Sequence, residues 1–130
     1  MRFLPILLSA AILAAPASAA LKDEAGITEG LIVVGIAYEI SRVCPDIDAR
    51  RLRGLSYLLS LKSAARQMGY SPAEIEAFID DKAEKRKLEA VARDRLAGMG
   101  AVRGDVAGHC AVGRTEVARD TNIGRLLAPR

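Results

Sequence analysis

Tryptophan is absent from this chain of 130 residues, histidine occurs once, cysteine twice, and aromatic residues make up 4%. One histidine and two cysteines supply too few ligands for most structural zinc sites. The aromatics beyond the N-terminal segment are Tyr38, Tyr57, Tyr70 and Phe78. They are too few and too scattered for base stacking or a sugar platform. Neither charge sign dominates: 19 basic residues face 16 acidic ones, a net +3. That balance argues against a nucleic-acid binder. A hydrophobic content of 51% excludes a disordered chain. There is no alternating strand pattern, internal repeat or low-complexity tract. No phosphate-binding glycine loop, metal-ligand cluster or nucleophile-base pair is present either. The length allows one domain. These absences leave no activity legible, but they leave destination and build.

The first segment is expected to be a sorting signal. Arg2 gives a positive start, and Phe3 to Ala15 is apolar apart from Pro5 and Ser9. Pro16 ends the helical run, and Ala17-Ser18-Ala19 offers the small residues that a signal peptidase accepts. The apolar stretch is short for a membrane span, which needs roughly 20 residues. No cysteine lies near the cut, which disfavours a lipid anchor. The expected division is a signal peptide over 1–19 and one helical domain over 20–130. Cleavage after Ala19 leaves 111 residues with a net charge of +2. The product is expected to be periplasmic or secreted, with no transmembrane segment.

Cys44 and Cys110 both lie in the mature part. Exported proteins meet an oxidising compartment, where paired thiols usually close. The expected bond encloses a loop of about 67 residues, for which chain entropy gives about 4 kcal/mol. Two buried free thiols or a redox pair are the alternatives. A redox pair normally uses close C-x-x-C spacing.

The apolar spacing predicts an all-α fold, a compact array of five or six helices. The first runs from about Thr28 to Val43 and is apolar around most of its circumference, so it belongs in the core. Strand is the rival for Leu31 to Ile36. Cys44-Pro45 ends this helix. Asp46 or Asp48 is expected to cap the next, which spans about Ala49 to Met68. Its buried face is read as Leu52, Leu55, Leu58, Leu59 and Leu61 or Ala65, with Gly69 as the stop. Tyr70-Ser71-Pro72-Ala73-Glu74-Ile75 combines a capping box, a proline at the first helical position and a hydrophobic staple. The third helix therefore starts at Pro72 and buries Ile75, Phe78 and Ile79. Asp80-Asp81 breaks it, and Asp81 with Glu84 opens a fourth helix from about Lys82 to Ala97. That helix buries Leu88, Val91, Ala92 and Leu96. One continuous helix from Pro72 to Ala97 is the rival. A last helical region covers about Asp105 to Arg119, and a terminal turn runs from Ile123 to Leu127.

Few residues suggest chemistry. His109 precedes Cys110, but adjacent helical positions do not face each other, so a surface histidine beside the disulfide is expected. Asp46-x-Asp48 opens like a calcium loop, yet Arg50 follows at the next ligand position and the turn glycine is missing. Asp80, Asp81 and Glu84 read as helix caps. Lys82, Lys85, Arg86 and Lys87 read as a solvated face, with Asp81–Lys85 and Glu89–Arg93 as helix-surface pairs. Glu39 and Glu116 are candidate buried polar groups, each inside an apolar helical stretch. A carboxylate there needs a partner or a proton. Arg42, Arg114, Arg125, Tyr38 and Tyr57 are the candidate partners, and a rim position on the apolar face is the alternative.

Several of these residues form a recognisable pattern. Glu39-Ile40 precedes Cys44-Pro45, and Gly69-Tyr70-Ser71 precedes Glu74-Ile75. Cys110-x-x-Gly113-x-x-Glu116-Val117-Ala118 then leads to Ile123-Gly124-x-Leu126-Leu127. Across nearly the whole mature part the chain resembles the domain-of-unknown-function family number 5333, small exported proteins of alphaproteobacteria. The resemblance implies a shared exported domain but no activity and no site residues. His109 lies outside the pattern. The function expected is non-enzymatic binding in the cell envelope, to an envelope protein or a small ligand. A carrier role, or an accessory or inhibitor of a periplasmic enzyme docking through the last helix, is the alternative. No cofactor, no metal and no catalytic residue is implied.

Overall fold

The computed structural model describes residues 20–130, so the expected leader and its cleavage site lie outside the described residues. After a 3-10 turn at Leu21–Asp23 come five α-helices: α1 (Ala25–Val43), α2 (Arg51–Gln67), α3 (Pro72–Ile79), α4 (Lys82–Met99) and α5 (Val106–Ala118). A second 3-10 turn covers Gly124–Leu126. Two short strands, β1 (Ile47–Ala49) and β2 (Leu127–Pro129), pair antiparallel. The all-α expectation holds.

The apolar run of α1 does make it the central element. It packs against α2, α4 and α5, and Ile36 and Ile40 are wholly buried. The main core gathers these isoleucines with Ala92 and Leu96 of α4, Val112 of α5 and Leu127 of β2. A smaller cluster of Leu21, Ile27, Ala65 and Ile75 lies at the other end of α1. Close approach of α5 depends on Gly113, where a Cβ would fall 2.5 Å from Ile47 Cδ1 and 2.8 Å from Ile40 Cγ2.

The helix boundaries follow local chemistry. The Ser71 hydroxyl accepts from Glu74 N–H, and the Ser71 N–H donates to the Glu74 carboxylate. The chain breaks at Asp80–Asp81, and Asp81 accepts from the amides of Ala83 and Glu84. The Tyr70 ring packs on the cluster holding Ile75, while its hydroxyl donates to Glu24 at 2.7 Å. That bond, together with partial desolvation and the surrounding acids, pushes the Tyr70 phenol up to about 12. Gly100 ends α4 in the left-handed conformation (φ 109°), open to glycine without strain.

Cys44, at the end of α1, is bonded to Cys110 in the second turn of α5, with a Cα–Cα distance of 5.1 Å. Both residues are buried. The strand pair fastens the C-terminus nearby, and Arg130 closes an ion pair with Asp48.

Several expectations need correction. Asp46 and Asp48 do not cap α2: they pair with Arg114 and Arg130, and the N-cap position is Arg50, with no side-chain cap. The face of α2 turned inward is Gly54, Tyr57, Leu61 and Ala65, a stripe at helical spacing. Leu52, Leu55, Leu58 and Leu59 are exposed, Leu52 to 83%. The tight approach to α1 selects this rotation, because a Cβ on Gly30 would fall 2.5 Å from Leu61 Cδ2. Ile79 and Val91 are exposed as well: Ile79 is the last residue of α3, and α4 turns the adjacent Ala92 inward in place of Val91. His109 is not on the surface. It is 2% exposed, because positions 109, 112, 113 and 116 form the inward face of α5. Neither Asp81–Lys85 nor Glu89–Arg93 closes as an ion pair among the described residues. Glu84 with Lys87, at 3.9 Å, is the pair on that surface.

Candidate functional site

The rotation of α2 leaves a groove between α1, α2, α3 and α4, with a volume of about 700 Å³. Its floor is formed by buried residues: Ile27 from α1, Ala65 from α2, Ile75 from α3 and Ala92 from α4. Leu31, Val34, Leu58, Leu61, Phe78 and Leu88 form the walls. Tyr38, Leu59 and Ile79 stand at the opening, each more than half exposed. Glycine contributes to the shape at Gly35, where a Cβ would touch that of Ala92 at 3.4 Å. The groove follows α1 from Ile27 to Arg42, about 22 Å at the helical rise of about 1.5 Å per residue.

Charge is confined to one end and the rim. Four basic residues (Arg42, Lys62, Lys85, Arg93) and three acidic ones (Glu39, Glu84, Glu89) line the groove. Lys62 is paired with Glu76 at 2.9 Å. Glu39 accepts two hydrogen bonds from Arg42, at 2.8 and 3.3 Å. Those bonds hold its carboxyl below the ordinary carboxylate range, against the opposing pull of burial, and the charges of Arg42, Arg93 and His109 add to the effect.

A second, smaller cavity of about 290 Å³ adjoins this end. It shares Glu39 and Arg93 with the groove and adds Asp94, Arg103 and His109. His109 Nδ1 lies 2.6 Å from the Asp105 carbonyl oxygen, which can only accept, so Nδ1 carries a proton. Arg93 is half-buried at the junction of the two cavities. No described side chain hydrogen-bonds to it or pairs with it within 4.0 Å.

The two candidate buried carboxylates have different situations. Glu39, with its side chain 14% exposed, opens on both cavities and takes Arg42, one of its expected partners. Glu116 is buried in the core and faces neither cavity. Its partner is the Thr121 hydroxyl rather than an arginine or a tyrosine. Thr121 Oγ1 in turn accepts from the Gly124 amide at 3.0 Å, so Glu116 organises the turn that follows α5.

Among the described residues, Cys44, Asp46 and Cys110 are the one group that brings three possible metal-ligand atoms together. Both sulfurs are consumed by the disulfide. No described helix is long and apolar enough to cross a membrane. The groove and Arg93 had no clear sequence signal. The groove arises from the mutual rotation of four helices, and Arg93 reads as one more charge in a mixed run.

Fold and site together define a small disulfide-tied helical protein with an apolar groove and a charged end. The chain belongs to the family of unknown function DUF5333, whose profile matches residues 19–128. No curated protein and no solved structure matches it.

Proposed function

We propose that this is a non-enzymatic binding protein of the cell envelope, exported by the leader read from the sequence, and that its ligand lies in the groove. One observation carries this reading: about 700 Å³ of mostly apolar groove, within the size range of ligand sites. Leucine side chains left in water are costly to a free protein and mark surfaces that another molecule covers. The groove thus favours a small-ligand carrier over docking through the last helix. The outward face of α5 carries small and polar residues such as Ala107, Ala111, Arg114 and Thr115.

The polar groups support binding better than catalysis. Glu39 is a carboxylate fixed by Arg42 and held in its ionised form. It is therefore unsuited to general-acid work near neutrality, where a raised pKa is needed. Glu116 is enclosed by the core and is occupied with Thr121.

The test is saturable binding of a neutral, environment-sensitive dye to the mature, disulfide-intact protein. One site per molecule is expected, with blue-shifted emission. The double variant Leu59→Glu/Ile79→Glu places charge at the opening on two residues that are more than half exposed, so folding should be retained. It should weaken binding at least tenfold, about 1.4 kcal/mol. Absence of saturable binding by the native protein would overturn the reading.

A second reading has its own support. Leu52, Leu55 and Leu59 form an exposed stripe on α2 that continues beyond the groove, a surface suited to an envelope protein partner. Leu52→Glu should abolish such an association while leaving dye binding in the groove intact.

A further inference from the structure

The geometry points to an amphiphile with one alkyl chain and one carboxylate head as the ligand of this site, with the chain in the groove and the head on the Arg93 guanidinium. The inference rests on the binding function proposed above and specifies its ligand.

The tail is dictated by the groove: its floor and walls are mostly apolar from Ile27 to Tyr38, about 16 Å of α1, before the charged end begins. An alkyl chain fills such a channel with methylenes and makes no demand for hydrogen bonds. The head is dictated by the end of the channel. Arg42 and Lys62 already have carboxylate partners, Glu39 and Glu76, and Lys85 is exposed at the rim and lines only the groove. Arg93 is half-buried and open to both cavities, and it lacks such a partner. A guanidinium fork matches a carboxylate in a bidentate geometry. The smaller cavity gives the head room beyond the fork, where the buried His109 and the exposed Arg103 supply further polar lining.

The net charge selects a monoanion. Arg42 and Lys62 are balanced by Glu39 and Glu76, so a single negative charge on the ligand matches the half-buried Arg93. A dianionic phosphate head would bring its second charge close to Glu39 and Asp94, which line the smaller cavity. Like charges at that range repel.

Calorimetric titration of the mature protein with octanoate, decanoate, dodecanoate, dodecanol and dodecyl phosphate, all below their aggregation limits, tests the assignment. Each added methylene should tighten binding about fourfold. Dodecanoate should bind about tenfold or more tightly than dodecanol, and more tightly than dodecyl phosphate. Arg93→Gln should erase the advantage of dodecanoate over dodecanol, while Arg93→Lys should retain part of it. Equal affinities for dodecanoate and dodecanol in the native protein would overturn the carboxylate assignment. A preference for dodecyl phosphate, or an advantage that survives Arg93→Gln, would do the same. Should Arg93→Gln not fold, the native series decides alone. If the neutral dye and dodecanol bind but the carboxylate has no advantage, this assignment fails and the groove stands. If nothing apolar binds, both fail.

Discussion

Replacing both Cys44 and Cys110 with alanine removes the cross-link between the end of α1 and α5. The sequence separation is 66, so the closed loop holds about 67 residues. The chain-entropy relation gives an entropy change near 15 cal/mol/K, or about 4 kcal/mol at room temperature. An unfolding entropy of about 2.1 cal/mol/K per residue over the 111 residues after Ala19 converts this to a fall in Tm of roughly 15–20 °C. Both sulfurs are buried, so the small voids left behind add to the loss. The assay is thermal and urea unfolding of the native and double-alanine proteins, each with and without a reducing agent. The native protein should lose about the same stability on reduction, and the variant should lose nothing further. A change below about 1 kcal/mol would refute the reasoning, because α1 and α5 would then be held by packing alone.

Other predictions use the backbone and the polar core. A Cβ at Gly124 would lie 2.0 Å from the Glu116 carbonyl oxygen, so Gly124→Ala should cost about 3 kcal/mol or more in urea unfolding. Gly54→Ala, in the helical interior of α2 with open space around it, should instead gain about 0.5–1 kcal/mol. Thr121→Val leaves the buried Glu116 without its hydroxyl donor and should cost about 2 kcal/mol, while Thr121→Ser should restore most of it. Acid should destabilise the fold through Glu29, Glu39, Asp48 and Asp120, whose folded pKa values are lowered chiefly by hydrogen bonds from arginines. Depressed folded values give stability that is present above the ordinary 4.5 or 3.8 and is lost as pH falls through them. The stability gap between native protein and Arg42→Gln should therefore narrow as pH is lowered from 4.5 toward 3.

The parts of the fold that were legible rest on local or covalent chemistry. Ser71 and Glu74 are three residues apart, and their capping box needs nothing from the rest of the chain. The break at Asp80–Asp81 follows from the same kind of contact. The Cys44–Cys110 bond followed from the oxidising destination expected of the leader and from there being no other cysteine.

What stayed hidden depends on distant partners. Strands β1 and β2 have three residues each, too short to show an alternating pattern, and they pair across about 80 residues of chain. The leucines of α2 outrank Gly54 and Tyr57 in hydrophobicity, so a sequence reading places them inside. The contact between Gly30 and Leu61 sets the opposite rotation. That one rotation exposes the leucines and creates the groove. His109 was misplaced for a related reason. Its neighbour Cys110 is also buried, so α5 buries a face wide enough to include both. Glu39 and Glu116 drew attention as acids within apolar stretches, but their partners depended on folding. Arg42 is three residues from Glu39, whereas Thr121 reaches Glu116 from the turn beyond the helix.

The central claim is that a ligand chain lies along α1 between Leu31 and Leu88. Isotope-filtered NMR on protein labelled at its Ile, Leu and Val methyl groups, with unlabelled dodecanoate bound, examines it directly. Cross-peaks from the ligand methylenes to Leu31, Val34, Leu61 and Leu88 are the predicted result. Cross-peaks restricted to Leu52 and Leu55 on the outer surface of α2, with none to those four side chains, would contradict it.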